Sequence, residues 1–355
     1  MSPFQFHPQQ TIEELMAMHQ KLLTGIKTVS DMGDIEVGTT SKEAVYQEDK
    51  LTLYRYKPVV DTTNSVPLLI VYALVNRPYM LDLQPNRSLI KNLLETGQNI
   101  YLVDWGYPDK TDRYITLADY INGYLHRCVK TICKRHGVDK INVLGVCQGG
   151  TLSLCYSALY PSKVKNLITM VTPVDFKTSE NLLSHWIQKL DVDKLVDTLG
   201  NIPGELLNWA FLSLKPFRLM NQKYLHMVDR LDDIETFKNF LRMEKWIFDS
   251  PDQAGEAFRQ FAKAFYQQNA LIEGKVVLDK KTVNLKYLTM PILNIYASDD
   301  HLVPPESSKA LKKYVTTEDY SEVAFKGGHI GIYVSQRAQK AVPCEIGKWL
   351  SQREI

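Results

Sequence analysis

The sequence predicts an α/β fold in which a mostly parallel sheet has helices on both faces. Three observations support this prediction. Apolar strand-like runs alternate with amphipathic helical segments over much of the chain. The alternation stops between residues 175 and 286, where Trp, Phe, Met and Leu recur at helical spacing. A glycine-rich turn around Cys147 joins an apolar run to helix-forming sequence. We therefore divide the chain into an amphipathic helix and linker (1–42), a core (43–174 and 287–355) and an inserted, mainly helical cap (175–286).

The predicted strands follow from hydrophobic pattern. Residues 51–57 alternate between apolar and polar side chains, which is typical of an exposed edge strand. Further strands are predicted at residues 67–74, 99–105, 140–146, 166–171, 291–297 and 320–325. The first two of them are continuous apolar runs, which suit strands buried on both faces. Helices are predicted at residues 87–96, 117–136, 149–159, from about 305, and at 336–350. Strands separated by helices imply crossover connections and hence parallel pairing.

Two apolar patterns could serve either packing within the protein or contact with another molecule. Residues 11–29 are predicted to form an amphipathic helix, which we expect to pack on its own domain in preference to a partner. Aromatic residues of the cap are expected to pack in its core in preference to contacting substrate. They are Trp186, Trp209, Phe211, Phe217, Trp246, Phe248, Phe258, Phe261, Phe265 and Tyr266.

Composition excludes several classes of protein. Forty-two basic and 40 acidic residues give a net charge of +2 without a long basic run, so no nucleic-acid partner is expected. The longest apolar run, residues 66–75, is too short to cross a bilayer, and no export signal is recognisable. The odd number of cysteines, 5, favours a reducing cytoplasm. No sequence motif for a metal or a bound cofactor is present.

Cys147 lies in the sequence GVCQGG, between a predicted strand and a predicted helix. Gly145 and Gly149 leave room for a tight strand-to-helix turn of the nucleophile-elbow type. The helix dipole would favour the thiolate of Cys147 at this position. Two other interpretations are weaker: a dinucleotide-binding turn, which lacks its second glycine here, and a buried structural cysteine.

Cys147, Asp300 and His329 each follow the carboxyl end of a predicted strand, the edge at which open parallel sheets bind ligands. Their chain order of nucleophile, acid and histidine is that of the α/β-hydrolase fold. His329 would transfer protons and Asp300 would orient its ring. Asp299 and His301 are the local alternatives, and Asp300 could instead merely cap the next helix.

An acyl-transfer site also needs donors for a developing oxyanion. The elbow itself would supply the backbone N–H of Gln148. The second donor is expected from the loop after the strand that begins at Pro67, with Val71 or Ala73 as candidates.

A cysteine nucleophile is informative about the reaction. Its attack on a thioester makes another thioester at little net change in free energy, so the acyl group stays activated and an acceptor hydroxyl can then form an ester. Such a transfer requires that water be excluded, which a large apolar cap can do. The residues thus favour an acyltransferase at least as strongly as a hydrolase.

The sequence resembles the polyhydroxyalkanoate synthases over nearly its whole length. GVCQGG is similar to the lipase-like box of that family. Further similar segments are LLIVYALVNRPYMLDLQP (68–85), YLVDWGYPD (101–109), TMVTPVDF (169–176), GNIPGELLNWAFLSLKP (200–216), FLRMEKWIFDSPDQAGE (240–256), DDHLVPP (299–305) and GGHIGIYVS (327–335). The short chain resembles the catalytic subunit of the two-subunit type, class III. Class IV, with a different partner subunit, is the nearest alternative.

This resemblance implies polymerisation of (R)-3-hydroxyacyl-CoA, chiefly 3-hydroxybutyryl-CoA, with CoA as part of the substrate and no separate cofactor. Cys147 would carry the acyl chain, His329 would activate Cys147, and Asp300 would assist deprotonation of the attacking 3-hydroxyl, directly or through His329. It also implies a homodimer through the cap, a second helical subunit of the PhaE type and attachment to cytoplasmic polyester granules. Residues 11–29 are a hypothetical part of the subunit contact.

Two other functions remain open at this point. A cysteine-dependent α/β-hydrolase, such as a thioesterase or lactone hydrolase, would share the triad but would release free hydroxy acid. A granule-surface binding protein would need no triad, and the presence of all three residue types argues against it.

Overall fold

The computed structural model describes residues 35–61, 64–214 and 233–354. Within these residues the strands are β1 (Lys42–Glu48), β2 (Leu51–Tyr56), β3 (Leu68–Val71), β4 (Asp82–Gln84), β5 (Arg87–Ser88), β6 (Ile100–Asp104), β7 (Ile141–Val146), β8 (Val164–Met170), β9 (Val276–Leu278), β10 (Lys281–Val283), β11 (Ile292–Ala297) and β12 (Tyr320–Phe325). The predicted helix at residues 11–29 lies outside the described residues.

The helices are α1 (Leu89–Glu95), α2 (His126–His136), α3 (Gln148–Leu159), α4 (Leu182–Gln188), α5 (Val192–Leu199), α6 (Gly204–Ser213), α7 (Ile234–Phe248), α8 (Gly255–Phe261), α9 (Pro305–Lys309), α10 (Leu311–Tyr314), α11 (Gly331–Val334) and α12 (Gln336–Ser351). Wider, π-helical turns at Asp119–Leu125 and Ala262–Gln267 precede α2 and follow α8.

Eight strands form the main sheet in the order β1-β2-β6-β3-β7-β8-β11-β12. The six strands from β6 to β12 pair in parallel, whereas β2 is antiparallel to both of its neighbours. The prediction of a mostly parallel α/β sheet is therefore confirmed. One detail was wrong: the strand predicted at residues 51–57 is not at the edge, because β1 lies outside it. The sequence of β1, KEAVYQE, is mostly polar because neither face of this edge strand is fully buried.

Alternate residues of the central strands enter two separate cores, as the pleat of a strand requires. Leu69 and Val71 of β3 pack on one face, together with α2 and α3. Leu68 and Ile70 pack on the other face, together with α1 and α12. The sheet thus carries helices on both faces, and its carboxyl edge is left for loops.

Residues 175–286 contain the helices α4 to α8 and the β9–β10 hairpin. Val192, Val196 and Ile202 form a small core of their own with Ala262. The buried Phe261 and Phe265 extend the main core. The limits of the predicted cap are not tested by these contacts and stay a prediction.

The expectation that cap aromatics are buried was wrong for three of them. Trp186, Trp209 and Phe248 are exposed over 40%, 56% and 61% of their surfaces. Hydrophobic spacing marks one face of a helix, but it does not tell whether the chain itself covers that face. In contrast, Trp246 is buried and its indole N–H donates to the carbonyl of Arg77 at 2.8 Å, which ties α7 to the loop after β3.

Candidate active site

The turn between β7 and α3 places Cys147 in an unusual backbone conformation, with φ 54° and ψ −126°. A positive φ is uncommon for a residue with a side chain and indicates local strain. Two hydrogen bonds hold this turn: the Cys147 N–H donates to the Met170 carbonyl at 2.9 Å, and the Gly150 N–H donates to the Cys147 carbonyl at 2.9 Å. The predicted elbow is present, and the thiol of Cys147 is half-buried and not part of a disulfide.

Close packing explains the glycines of the turn. A Cβ on Gly145 would lie 2.5 Å from the Cα of Gly150, and a Cβ on Gly149 would lie 2.2 Å from the carbonyl oxygen of Val71. Both distances are far below van der Waals contact, and both neighbouring atoms belong to the backbone. The spacing of glycines around Cys147 is therefore required by the approach of α3 to the sheet.

Asp300 follows β11 and is buried, whereas its neighbour Asp299 is exposed. The Oδ1 atom of Asp300 accepts hydrogen bonds from the backbone N–H groups of Leu302 and Val303, both at 2.9 Å. Its Oδ2 atom lies 2.7 Å from Nδ1 of His329. The structure thus brings Asp300, and not Asp299, to the histidine.

His329 lies on the loop after β12, and only 6% of its side chain is exposed. Burial alone would lower the pKa of this imidazole. The charges of Asp300 and Cys147, together with hydrogen bonds to both side chains, outweigh burial and raise the pKa of His329 to about 10. At neutral pH the imidazole ring of His329 is therefore protonated where it faces the buried Asp300 carboxylate.

His301, the predicted alternative base, is half-buried and follows Asp300 directly in the chain. The nitrogen that meets Asp300 Oδ2 belongs to His329. The three residues predicted to form the site, Cys147, Asp300 and His329, are therefore in contact, as Cys147 to His329 and His329 to Asp300. Their chemical roles stay predictions at this point.

The predicted oxyanion donors lie beside the elbow. Gln148 is the first residue of α3, so its backbone N–H is at the helix N-terminus next to Cys147. The side chain of Gln148 contacts the loop after β3, where its Oε1 accepts a hydrogen bond from the Leu74 N–H at 3.0 Å. Val71 is the last residue of β3, in register with Val103 and Gly145. The Leu74 N–H is thus engaged, and the choice between Val71 and Ala73 stays a prediction.

Comparison with known proteins identifies the family. The alpha/beta hydrolase fold family matches residues 66–336. The family described as poly-beta-hydroxybutyrate polymerase (PhaC) N-terminus matches residues 9–93. The poly(3-hydroxyalkanoate) polymerase subunit PhaC of Allochromatium vinosum is 61% identical over 355 residues, which cover 99% of this chain and 100% of that protein. The chain belongs to the poly(3-hydroxyalkanoate) polymerase family. It is accordingly an acyltransferase, and the resemblance seen in the sequence is confirmed.

A second polymerase of the family, the subunit PhaC of Synechocystis, is 53% identical over 365 residues and covers 100% of this chain and 97% of that protein. Solved structures support the fold alone. A putative lipase from Sulfolobus solfataricus has a TM-score of 0.54 at 15% identity, covering 88% of this chain and 93% of that chain. A putative non-heme bromoperoxidase, BpoC, from Mycobacterium tuberculosis has a TM-score of 0.53 at 13% identity, covering 88% and 99%.

Two kinds of feature are absent from the part of the chain that the structure describes. No group of three or more His, Cys, Asp or Glu side chains in them could hold a metal ion. None of the helices formed by these residues combines the length and the apolar character that a membrane span requires.

Three tyrosines of this polymerase interact electrostatically with Cys147 and were not among the predicted site residues. They are Tyr72 after β3, Tyr266 from the cap and Tyr333 in α11. Burial, and after it the charge of neighbours that include Cys147, raises the pKa of each phenol. The available sequence signal was their position: Tyr72 and Tyr333 lie within the segments LLIVYALVN and GGHIGIYVS, which resemble the family.

Proposed function

We propose that the chain polymerises (R)-3-hydroxyacyl-CoA, chiefly 3-hydroxybutyryl-CoA, into polyhydroxyalkanoate and releases CoA. The observation that carries this proposal is the contact of Cys147, His329 and Asp300 in a chain that is 61% identical to a poly(3-hydroxyalkanoate) polymerase over its full length. The acyl chain would be held as a thioester on Cys147.

Acylation begins with attack of the Cys147 thiolate on the carbonyl carbon of the substrate thioester. The backbone N–H of Gln148, at the N-terminus of α3, would stabilise the negative charge that develops on the carbonyl oxygen. As the new C–S bond forms, the bond to the CoA sulfur breaks. His329 gives its proton to that sulfur, which leaves CoA as a thiol and the imidazole neutral.

Ester formation uses the same groups in the reverse direction. The neutral His329 takes the proton of an attacking 3-hydroxyl on Nε2, the ring nitrogen that does not contact Asp300. The hydroxyl oxygen forms a C–O bond to the acyl carbon, and the bond to Cys147 breaks. The thiolate and imidazolium pair is restored, so each cycle is balanced in protons.

Asp300 has a role through His329 in this scheme. Its Oδ1 accepts two backbone N–H groups and its Oδ2 meets His329. A substrate hydroxyl would have to displace one of these partners in order to reach the carboxylate directly. The hydrogen bonds therefore support an indirect role, in which Asp300 holds the ring and stabilises the imidazolium.

Several features of the resemblance extend this proposal beyond the single chain. We propose a class III enzyme with a second helical subunit of the PhaE type, a homodimer through the cap and attachment to cytoplasmic polyester granules. The full-length relationship to proteins named polymerase subunits supports the two-subunit type. A class IV enzyme, with a different partner subunit, is the alternative.

To test this proposal, the purified wild-type chain and Cys147→Ala are each incubated with 3-hydroxybutyryl-CoA, with and without a candidate second subunit. CoA release and the acyl product are followed together. Insoluble polyester and CoA, both lost in Cys147→Ala, are expected, and stimulation by the PhaE-type subunit would support class III. Free 3-hydroxybutyrate in place of polyester would instead make the protein a cysteine-dependent hydrolase. Absence of CoA release under all conditions would favour a binding protein.

A further inference from the structure

Tyr333 lies in α11, four residues after His329, and only 1% of its surface is exposed. Its ring meets the ring of His329 edge-on, with 6.0 Å between the centroids. Among the described residues, the hydroxyl of Tyr333 has no hydrogen-bond partner. It is thus a buried polar group directly beside the reacting histidine.

The neighbours of this side chain come from other parts of the site. Tyr72, from the loop after β3, belongs to the same buried cluster as Tyr333, and Cys147 packs against that cluster. Burial raises the pKa of the Tyr333 phenol, and the charges of Tyr72, Cys147 and Asp300 raise it further. The hydroxyl therefore keeps its proton at working pH and is a hydrogen-bond donor.

A buried hydroxyl without a partner destabilises the folded chain, and a phenylalanine would fill the same space without this loss. The hydroxyl does not bond to the Asp300 carboxylate, whose acceptors are used by His329 and two backbone N–H groups. An acceptor that enters with the substrate would satisfy it.

We propose that the hydroxyl of Tyr333 donates a hydrogen bond to an oxygen of the acyl group bound at Cys147, either the thioester carbonyl or the 3-hydroxyl. This inference rests on the proposed function, because the ligand is an (R)-3-hydroxyacyl thioester. It makes Tyr333 a substrate-binding residue in addition to the three residues of the triad.

The test compares Tyr333→Phe with the wild-type chain, with Tyr156→Phe as a matched control. Tyr156 is also fully buried, but its hydroxyl has a partner, Nδ1 of His126 at 3.2 Å. For Tyr333→Phe we expect kcat/KM for CoA release to fall roughly tenfold or more, in line with loss of a donor to a reacting group. We also expect no decrease in melting temperature and no change in the rate at which iodoacetamide alkylates Cys147. Tyr156→Phe should show the reverse: a lower melting temperature and unchanged kcat/KM.

Single-turnover acylation of Cys147, followed by mass spectrometry, distinguishes the two acceptor oxygens. If Tyr333 binds the 3-hydroxyl, Tyr333→Phe should be acylated more slowly by 3-hydroxybutyryl-CoA but at the wild-type rate by butyryl-CoA. If it binds the carbonyl, both substrates should react more slowly.

Wild-type rates with both substrates in Tyr333→Phe would overturn the inference. So would a loss of melting temperature as large as that of Tyr156→Phe, since it would indicate a structural partner for the hydroxyl. Failure of the wild-type chain to release CoA would refute the proposed function as well, whereas the first two outcomes leave it intact.

Discussion

Replacing Gly149 by alanine tests whether the elbow and the end of β3 must be in contact. The added Cβ would lie 2.2 Å from the carbonyl oxygen of Val71 and 2.5 Å from the carbonyl carbon and oxygen of Tyr72. A relaxed contact between carbon and oxygen needs roughly 3.3 Å or more. One of the two segments would therefore have to move by about 1 Å.

Neither segment can move freely. Val71 is at the end of β3, which is paired with β6 on one side and β7 on the other, and Gly149 is fixed in the first turn of α3. Overpacking of this kind costs about 1–3 kcal/mol. At about 2 °C per kcal/mol for a large domain, the melting temperature should fall by about 2–6 °C. CoA release should fall by roughly a hundredfold, the loss typical of one misplaced oxyanion donor.

Thermal melting by circular dichroism and CoA release from 3-hydroxybutyryl-CoA measure the two effects. Gly331→Ala is the matched control, because Gly331 is also two residues from a triad member but an added Cβ would meet no atom within 4 Å. This control should melt no lower than the wild-type chain and retain activity. The reasoning would be refuted by a Gly149→Ala chain that melts and turns over like the wild-type chain.

Three further substitutions test the contacts of the site. His329→Gln should be less stable than the wild-type chain, and this difference in unfolding free energy should shrink as the pH rises from 6.5 to about 10. The reason is that folding raises the pKa of His329 from 6.5 to about 10, so the stabilisation is complete only below pH 6.5. Urea midpoints that keep a constant difference over this pH range would contradict the prediction. Asp300→Asn should lower CoA release by roughly two to four orders of magnitude, because an amide facing Nδ1 favours the wrong tautomer. It should also lower the melting temperature at neutral pH, because the Asp300 charge helps to raise the pKa of His329 in the folded chain. Near wild-type turnover would argue against a role through His329. Gln148→Met should lower the free energy of unfolding, measured in urea, by about 1–3 kcal/mol, because it leaves the Leu74 N–H without an acceptor. Gln148→Glu is the control, since it keeps an acceptor for that N–H. Equal losses in both variants would show that this hydrogen bond is not the cause.

The parallel strands could be predicted because burial on both faces leaves a continuous apolar run in the sequence. Residues 67–74, 99–105 and 291–297 were each predicted in this way, and each contains an observed strand. The polar edge strand β1 gave no such signal, since its side chains are partly exposed on both faces. The same limit applies to the exposed cap aromatics: a pattern shows that a face is apolar, but not what covers it.

The meeting of Cys147, Asp300 and His329 could be predicted from glycine spacing and chain order, because a sharp turn with no room for side chains restricts the sequence locally. Asp300 was predicted with Asp299 as the local alternative, and what separates the two in the structure is the turn after β11, where two backbone N–H groups meet Asp300. The contact of Gln148 with Leu74 and the burial of Tyr333 beside His329 join segments that are far apart in the chain. Such contacts follow from tertiary packing and leave no local pattern.

Backbone strain in the described residues is concentrated at this same edge of the sheet. Asp49, Asn76, Asn269 and Asp279 have positive φ, which Asn and Asp tolerate, and Lys280 lies in the tight turn of the β9–β10 hairpin. Cys147 at φ 54° and Val171 at φ 45° are residue types that do not tolerate positive φ in this way. The two lie close together, because the N–H of Cys147 donates to the carbonyl of Met170, the residue just before Val171. Each strained residue costs of order 1–3 kcal/mol, and the hydroxyl of Tyr333 adds a further unfavourable term. Glycine at position 147 would relieve its share of the strain and remove the thiol. Stability and chemistry therefore oppose each other where β7 and β8 end, and the paired strands on either side must supply the free energy that holds the site in place.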